Sequence, residues 1–324
     1  MDKRMEPIPP LFPKPFQEAV DQLLEEKKER IEELRLRTGQ RLSWVVNGRE
    51  IYLQNRELPS VTSALLEEIV CRASGHAAYA VEEQRRKGYL TLPGGHRLGL
   101  CGLVSTVNGS VKSIRDYQAL NLRVARERPG CADALVSFLW SNPGSTLILG
   151  PPGVGKTTVL RDLVRQVSDR FHQRVSLVDE RGELAACRGG EPQLQVGSHT
   201  DILTGCSKAY AIELLTRAMG PEWIALDEIT APEDVKALTK ASYCGVRFLA
   251  TAHAASLSDL TRRPVYRSLM AEEVFENTAV IRPDRSLICE RIPYGNHQNC
   301  RFGSDPGLLG LGGTPCSPGA SRNP

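Results

Sequence analysis

The sequence predicts an α/β protein in which a smaller α+β domain precedes a domain with a mainly parallel sheet. In the second part of the chain, short apolar runs alternate with helical patterns, which is typical of βα units. In the first part, apolar residues alternate around tight-turn signals, which is typical of antiparallel hairpins. Arg128-Pro129-Gly130 lies between the two parts and is suited to a link.

The first part is expected to mix helices with antiparallel strands. Helical spacing of apolar residues occurs at 15–36, 62–73 and 77–86. Asn47-Gly48 lies at the centre of a predicted hairpin at 41–53, and Asn108-Gly109 marks another tight turn. Further strand-like stretches occur at 89–92, 97–104 and 111–114. We therefore assign residues 1–128 to an N-terminal α+β domain.

The second part is expected to form the parallel sheet. Its predicted strands are at 146–149, 175–178, 223–226 and 246–251. After about Ile292 the periodicity is lost, and residues 303–324 are rich in Gly, Pro and Ser. We therefore expect a second domain at 129–292 and a disordered tail at 293–324.

Composition fits a soluble globular protein, with 41% hydrophobic and 24% charged residues among 324. The formal charge of +3 gives no reason to expect a nucleic-acid partner. No apolar run approaches the roughly 18 residues that span a bilayer, and the N-terminus lacks the apolar core of a signal peptide. We expect a cytoplasmic chain without a direct membrane span. The nine cysteines form no CxxC pair, so neither a zinc site nor a redox motif is indicated.

Residues 150–157, here called the glycine loop, match the pattern G-x-x-x-x-G-K-[ST] between an apolar strand and an amphipathic helix. Glycines let the backbone curl so that several N–H groups point at one phosphate. Lys156 adds positive charge, and the Thr157 hydroxyl suits Mg²⁺. The alternative is a glycine-rich turn that binds nothing. We expect ATP with Mg²⁺ to be held by Gly150, Pro151, Pro152, Gly153, Val154, Gly155, Lys156, Thr157 and Thr158.

Carboxylates follow two predicted strands, and hydrolysis would need them. Asp227 is expected to bind Mg²⁺ beside Thr157, and Glu228 to polarise the attacking water. The alternative is a pair of exposed loop carboxylates. After the strand at 175–178, Glu180 is a second candidate for the catalytic cleft, with Glu183 and Asp179 as alternatives, because carboxyl ends of parallel strands gather at one edge. A surface ion-pair cluster is the competing interpretation of that segment.

Histidine and arginine complete the candidate residues. His253 ends a core strand, where it could hydrogen-bond the γ-phosphate and report its loss, although a lone histidine is more often structural. Multimeric ATPases often need an arginine from another domain or subunit. The N-terminal candidates for that role are Arg97, Arg115, Arg123 and Arg126.

Seven segments together carry a family resemblance. They are GPPGVGKTT at 150–158, VDERGEL at 178–184, WIALDEI at 223–229, GVRFLATAHA at 245–254, EELRLRTGQRL at 32–42, LPGGHRLGLCG at 92–102 and LNLRVARE at 120–127. Over roughly residues 10–292, the chain resembles the stage III sporulation protein AA family of endospore-forming bacteria, a relative of the type II and type IV secretion ATPases.

The resemblance implies a RecA-like P-loop NTPase domain whose Walker A, Asp, Walker B and His boxes are the first four of those segments. The family's catalytic acid would fall on Glu180 or Glu183 and on Glu228, and the His-box histidine on His253. Hexameric rings are implied, in the mother cell at the base of a membrane-embedded channel to the forespore. Secretion ATPases commonly have Gly where this chain has Asp227, which leaves the roles of Glu228 and Glu180 open.

Three functions compete on the sequence. The first is a ring ATPase that energises a channel. The second is a RecA-like ATPase dependent on nucleic acid, and the third is a nucleotide-switched scaffold with little turnover. A GTPase or an ABC ATPase is disfavoured because neither an NKxD nor an LSGGQ-like segment occurs.

Overall fold

The computed structural model describes residues 5–26, 31–54, 57–75, 78–107 and 109–294. The predicted turn residue Asn108 and the predicted tail beyond Tyr294 lie outside these ranges. No helix within them is long and apolar enough to cross a membrane.

The N-terminal elements form an antiparallel sheet covered by helices. They are α1 (Phe16–Glu26), β1 (Glu33–Arg37), β2 (Ser43–Val46), β3 (Arg49–Tyr52), α2 (Ser63–Ser74), α3 (Ala78–Arg86), β4 (Tyr89–Thr91), β5 (Arg97–Val107) and β6 (Ser110–Arg123). Among the described residues, six strands follow the order β3-β2-β1-β6-β5-β4. Helix α2 lies against β6 and buries Leu65, Leu66 and Ile69. The predicted antiparallel α+β part is confirmed.

One predicted helix is wrong in its second half. Helix α1 ends at Glu26, and residues 33–36 belong to β1 rather than to a helix reaching Leu36. The segment from Glu33 to Arg37 alternates charged and apolar residues, so the buried Leu34 and Leu36 share one face of a strand. Leu34 pairs antiparallel with Leu122 of β6. Strand β6 is also far longer than the predicted stretch at 111–114.

The C-terminal elements form a mainly parallel sheet, as predicted. They are α4 (Asp133–Ser141), β7 (Thr146–Gly150), α5 (Lys156–Phe171), β8 (Val175–Asp179), β9 (Thr200–Thr204), α6 (Lys208–Ala218), β10 (Trp223–Leu226), α7 (Pro232–Tyr243), β11 (Arg247–His253), α8 (Leu257–Leu260), α9 (Pro264–Ala271), β12 (Asn277–Ile281) and β13 (Leu287–Arg291). Their order among the described strands is β13-β12-β7-β11-β10-β8-β9, and only the β12–β13 pair is antiparallel.

The two parts of the chain belong to one compact unit, Met1–Ile292. Their contact uses the long segment between β8 and β9. Gly94 donates its backbone N–H to Gln193 Oε1 at 3.2 Å, and Gln195 donates to Glu127 Oε1 at 2.5 Å. A Cβ on Gly95 would come within 2.8 Å of Leu194, so a side chain there would push the two segments apart. The connecting segments of the N-terminal part therefore contact the segment that follows β8.

The central strands bring four chain segments to one edge of the parallel sheet. Strand β7 lies beside β11, which lies beside β10, which lies beside β8. His253 is in register with Gly150, and Leu226 is in register with both Ala250 and Val178. Because all four strands run in the same direction, the glycine loop and the residues after Val178, Leu226 and Ala250 meet at their carboxyl ends.

Candidate functional site

The glycine loop turns tightly between β7 and α5. Gly155 has a φ of 110°, which L side chains rarely adopt, immediately before α5 begins at Lys156. A Cβ on Gly150 would lie 2.7 Å from Val154 Cγ1, so the loop folds back over its first residue. The free N–H groups of the first turn of α5 and the positive end of its dipole thus face the sheet edge. This is the geometry in which backbone N–H groups surround an anion.

Lys156 is held inside this loop. It is 6% exposed, and its ammonium donates to the carbonyl oxygens of Gly150 and Pro151, each at 3.0 Å. A third contact, at 2.7 Å, is made with His253 Nδ1. The pKa of Lys156 is lowered by burial, which outweighs the opposing charges of Glu228 and Asp227. An arriving phosphate would offer this buried cation the counter-charge that carbonyl oxygens supply only in part.

Asp227 joins two hydroxyls at the end of β10. Thr157 Oγ1 donates to Asp227 Oδ2 at 3.2 Å, and Thr251 Oγ1 donates to Oδ1 at 2.7 Å. Hydroxyl and carboxylate oxygens are ligands suited to Mg²⁺, which usually keeps several waters and takes substrate phosphates as further ligands. In the described part of the chain, no group of three or more His, Cys, Asp or Glu side chains could hold a metal alone. The pair Thr157 and Asp227 therefore fits Mg²⁺ that arrives with a nucleotide.

His253 connects Lys156 to Glu228. Its Nε2 lies 3.0 Å from Glu228 Oε2, while its Nδ1 contacts the Lys156 ammonium. An ammonium can only donate, so Nδ1 accepts and Nε2 carries the proton that is donated to Glu228. The side chains of His253 and Glu228 are 30% and 24% exposed, so both remain accessible at the sheet edge. The histidine thus contacts the candidate phosphate ligand and the candidate catalytic acid at once.

Tyr266 fixes the segment that follows Glu228. Its buried hydroxyl donates to the backbone oxygen of Ile229 at 2.7 Å. Burial, followed by the nearby charge of Glu228, raises the pKa of Tyr266 from 10.0 to about 12. The tyrosine therefore stays a neutral hydrogen-bond donor at physiological pH.

Tyr266→Phe is expected to lower the free energy of unfolding by about 1 kcal/mol at pH 7, because the buried carbonyl of Ile229 loses its donor. In the wild type the folded-state pKa of Tyr266 lies above its unfolded value, so its stabilisation is complete below about pH 10 and falls towards pH 12. The difference between wild type and variant should therefore shrink over that range. Urea unfolding at pH 7 and above pH 10 measures it, with the 58% exposed Tyr210→Phe as the control. Equal stability of the two variants at pH 7 would contradict this role of Tyr266.

Asp179 is a structural residue, although the sequence placed it among the alternatives for catalysis. It is 2% exposed, and its carboxylate accepts backbone N–H groups from Glu183 at 2.8 Å, Leu184 at 3.1 Å and Ala185 at 2.8 Å. Both oxygens are therefore used to shape the turn after β8. The sequence could not reveal this because the donors are backbone groups.

Asp179→Ala is expected to lower the free energy of unfolding by about 3 kcal/mol or more, because three inward-facing N–H groups lose a charged acceptor. The exposed Asp201→Ala on β9 is the matched control and should stay within about 0.5 kcal/mol of wild type. Denaturant unfolding followed by circular dichroism measures both. A loss below about 1 kcal/mol in Asp179→Ala would show that the turn forms without this carboxylate.

Glu180 and Glu183, the other two candidate acids of this segment, each pair with a different cation. Lys208 Nζ lies 2.5 Å from Glu180 Oε2, and Arg97 Nη1 lies 2.6 Å from Glu183 Oε1. Arg161 of α5 also donates to the backbone oxygen of Glu183 at 2.7 Å. Glu180, Glu183 and Glu228 thus each have a basic partner from a different element: Lys208, Arg97 and His253 respectively.

Sequence reasoning missed several members of this arrangement. Lys208, Arg161 and Thr251 contact candidate residues, and Tyr266 contacts the backbone of Ile229, next to Glu228. Thr251 lies in the segment at 245–254 but was given no role, and the other three belong to no recognisable spacing pattern. A lysine in the first position of a helix is the one visible signal, because a cation is unfavourable there without an anion nearby.

Three of the four candidate arginines face a cleft beside the glycine loop. The cleft has a volume of about 690 Å³ and is lined by Arg97, Arg123, Arg126 and residues 153–155. Arg97 also stacks over the ring of Tyr89 at 3.8 Å. Arg115 lies elsewhere, opposite Leu103 in the β5–β6 hairpin, with 66% of its side chain exposed. The cleft thus combines positive charge from the N-terminal sheet with the candidate phosphate loop.

Comparison with known proteins identifies the family of the chain and its fold. The family described as Sporulation stage III, protein AA matches residues 15–287. The chain belongs to this family. Stage III sporulation protein AA of Bacillus subtilis strain 168 is 38% identical over 277 residues, covering 84% of this chain and 89% of that protein. The family predicted from the seven segments is confirmed.

Solved structures resemble this stage III sporulation protein AA family member in fold. The Yersinia pseudotuberculosis ATPase DotB has a TM-score of 0.57 at 17% identity, covering 86% of this chain and 79% of its own. The pilus retraction motor PilT with bound ADP has a TM-score of 0.56 at 15% identity, covering 81% and 77%. The predicted fold class, that of RecA-like secretion ATPases, is confirmed by these matches.

Proposed function

We propose that this chain is an ATPase that binds ATP with Mg²⁺ at the glycine loop and hydrolyses it to ADP and phosphate. The observation that carries the proposal is the meeting of three contacts at adjacent strand ends. They are Lys156 with His253, Thr157 with Asp227, and His253 with Glu228. A cation that could bind phosphate, two side chains that could bind Mg²⁺ and a candidate base therefore lie within one small region. Hydrolysis requires these three together.

Nucleotide binding would use the loop and the cleft together. The backbone N–H groups of residues 150–158 would hold the phosphates, and Lys156 would turn from its carbonyl acceptors towards them. Thr157 and Asp227 would hold Mg²⁺, which neutralises charge on the phosphate oxygens when bound. The adjoining cleft of about 690 Å³ is large enough for the base and sugar.

Hydrolysis would proceed by attack of water on the γ-phosphorus. Glu228 would orient the water and accept its proton, while the bond from the γ-phosphorus to the bridging oxygen breaks and ADP leaves with that electron pair. The Nε2–H of His253 would hold the Glu228 carboxylate in place. When Lys156 moves onto the phosphate, His253 loses its Nδ1 contact, so the histidine would report occupancy of the loop. Glu180 and Glu183 are the alternative acids.

Assembly is the second part of the proposal. Family membership and fold similarity to the motor PilT support a hexameric ring in which residues 1–128 and 129–292 act as two domains. Arg97, Arg123 or Arg126 would complete a neighbouring site, and no nucleic acid would be required. The ring would lie in the cytoplasm, peripheral at the membrane through channel proteins, and energise transport between mother cell and forespore.

Light scattering of the purified full chain, with and without a non-hydrolysable ATP analogue, tests the assembly. A nucleotide-dependent shift from monomer to a closed ring is expected, and Lys156→Ala should remain monomeric. A chain that stays monomeric at high concentration with saturating analogue would contradict the ring. Stimulation of hydrolysis by DNA or RNA would favour a nucleic-acid motor, and nucleotide-dependent assembly without turnover would favour a scaffold.

A further inference from the structure

Lys208 is a buried cation that is not among the site residues expected from the sequence. It is the first residue of α6 and is 7% exposed. Lysines are almost never buried unless they are paired, and the positive end of a helix dipole disfavours a cation at this position. An acidic partner must therefore offset both costs. Glu180 is that partner, with its Oε2 at 2.5 Å from Lys208 Nζ.

The Lys208–Glu180 pair lies in the acidic cluster of the candidate site. Both residues line one small pocket with Asp227 and Glu228, at the carboxyl ends of β8 and β10. Asp179, Glu183 and Arg181 also line it, but Asp179 is used by backbone N–H groups and Glu183 by Arg97, and only Lys208 forms an ion pair with Glu180 among the described residues. Glu180 would be repelled by the other carboxylates in this pocket if its charge had no partner. The lysine thus offsets repulsion that would turn Glu180 outward.

We infer that Lys208 is a positioning residue that holds the Glu180 carboxylate in the pocket shared with Asp227 and Glu228, so that Glu180 helps to orient the water that attacks ATP. The inference rests on the proposed ATPase function. Lys208 acts through Glu180 and does not touch the nucleotide. Removing its charge therefore affects kcat through the carboxylate and leaves nucleotide affinity nearly unchanged.

A surface ion pair between α6 and α7 provides a matched control. Lys240 of α7 lies 3.1 Å from Glu213 of α6, and their side chains are 73% and 58% exposed. It joins a lysine to a glutamate from another element, as the Lys208–Glu180 pair does, but its charges are in solvent. If the role of Lys208 were merely structural, its substitution would alter stability, and it would not lower kcat while leaving the Kd for nucleotide unchanged.

The test compares Lys208→Met, Lys208→Arg, Glu180→Gln, the double variant Lys208→Met with Glu180→Gln, and Lys240→Met in the full chain. Phosphate release gives kcat and KM, and titration with a fluorescent ATP analogue gives Kd. We expect Lys208→Met to lower kcat by about 10- to 100-fold with Kd within about twofold of wild type. Lys208→Arg should recover most of the activity, and the double variant should be no slower than Glu180→Gln. Lys240→Met should match wild type.

Crystal structures of Lys208→Met and Lys240→Met without nucleotide give a readout independent of turnover. Glu180 should leave the pocket only in Lys208→Met. Wild-type activity in Lys208→Met, additive losses in the double variant, or an unmoved Glu180 would each overturn the inference. A wild-type chain that binds the analogue but releases no phosphate would instead overturn the proposed hydrolysis, and the catalytic part of this inference with it.

Discussion

Lys156→Ala is expected to lower kcat/KM for ATP hydrolysis by about 100- to 1,000-fold, the effect of removing a preorganised donor from a developing anion. The ammonium already lies within the loop, 3.0 Å from the carbonyl oxygens of Gly150 and Pro151, so it needs only to rotate onto a phosphate. Alanine also removes the contact with His253 Nδ1. Binding of a phosphate in the loop would then no longer act on Glu228 through His253. Phosphate release and a fluorescent-nucleotide titration measure the two effects.

The control for Lys156→Ala is Lys236→Ala, which removes an exposed lysine from α7. It should leave turnover and nucleotide affinity unchanged. That result would show that the loss in Lys156→Ala does not come from the change in net charge. Wild-type nucleotide affinity and turnover in Lys156→Ala would show that the glycine loop is not the phosphate site.

Glu228→Gln is expected to lower kcat by about 100- to 10,000-fold while nucleotide affinity is retained, because a positioned base contributes on that scale. Glutamine keeps the size of the side chain, and its amide oxygen can still accept the Nε2–H of His253. Only the ability to take a proton from water is lost. Single-turnover phosphate release measures the chemical step, and analogue titration measures affinity.

The same measurements on Glu180→Gln and Glu183→Gln assign the base among the three candidates. Glu183 is bound by Arg97 through its side chain and by Arg161 through its backbone, so we expect its substitution to have the smallest effect of the three. The exposed Glu233→Gln of α7 is the control. If Glu228→Gln retains more than about half of wild-type turnover, Glu228 is not the base, because a base contributes at least about 100-fold.

The parallel sheet could be predicted because its core strands are short apolar runs that lead directly into chemically distinctive residues. The strand at 223–226 was placed with its observed bounds, and Asp227 and Glu228 followed from it. Strands β9, β12 and β13 were missed. Strands β9 and β13 are both partly exposed, so neither carries the continuous apolar run that predicted their neighbours.

The local sequence pattern gave a wrong prediction where pairing with distant strands decides the secondary structure. The residues from Glu33 to Arg37 carry enough charge to extend a helical pattern, yet their alternation fits a strand between β2 and β6. Asp179 shows the same limit within the site. Its carboxylate looked as available as that of Glu180, and only the turn after β8 shows that backbone N–H groups occupy it. The pairing of Glu180, Glu183 and Glu228 with a basic partner each likewise depends on contacts between distant elements.

Magnesium-dependent phosphate release by the purified full chain tests the central claim most directly. The chain should be assayed with ATP over a range of protein concentrations, with Mg²⁺ and with EDTA, beside Glu228→Gln. We predict release that requires Mg²⁺, rises more than linearly with protein concentration as rings form, and is lost in Glu228→Gln. Release that is unaffected by EDTA or equal in Glu228→Gln, or no release from a chain that binds the nucleotide, would contradict the claim that this sheet edge hydrolyses ATP.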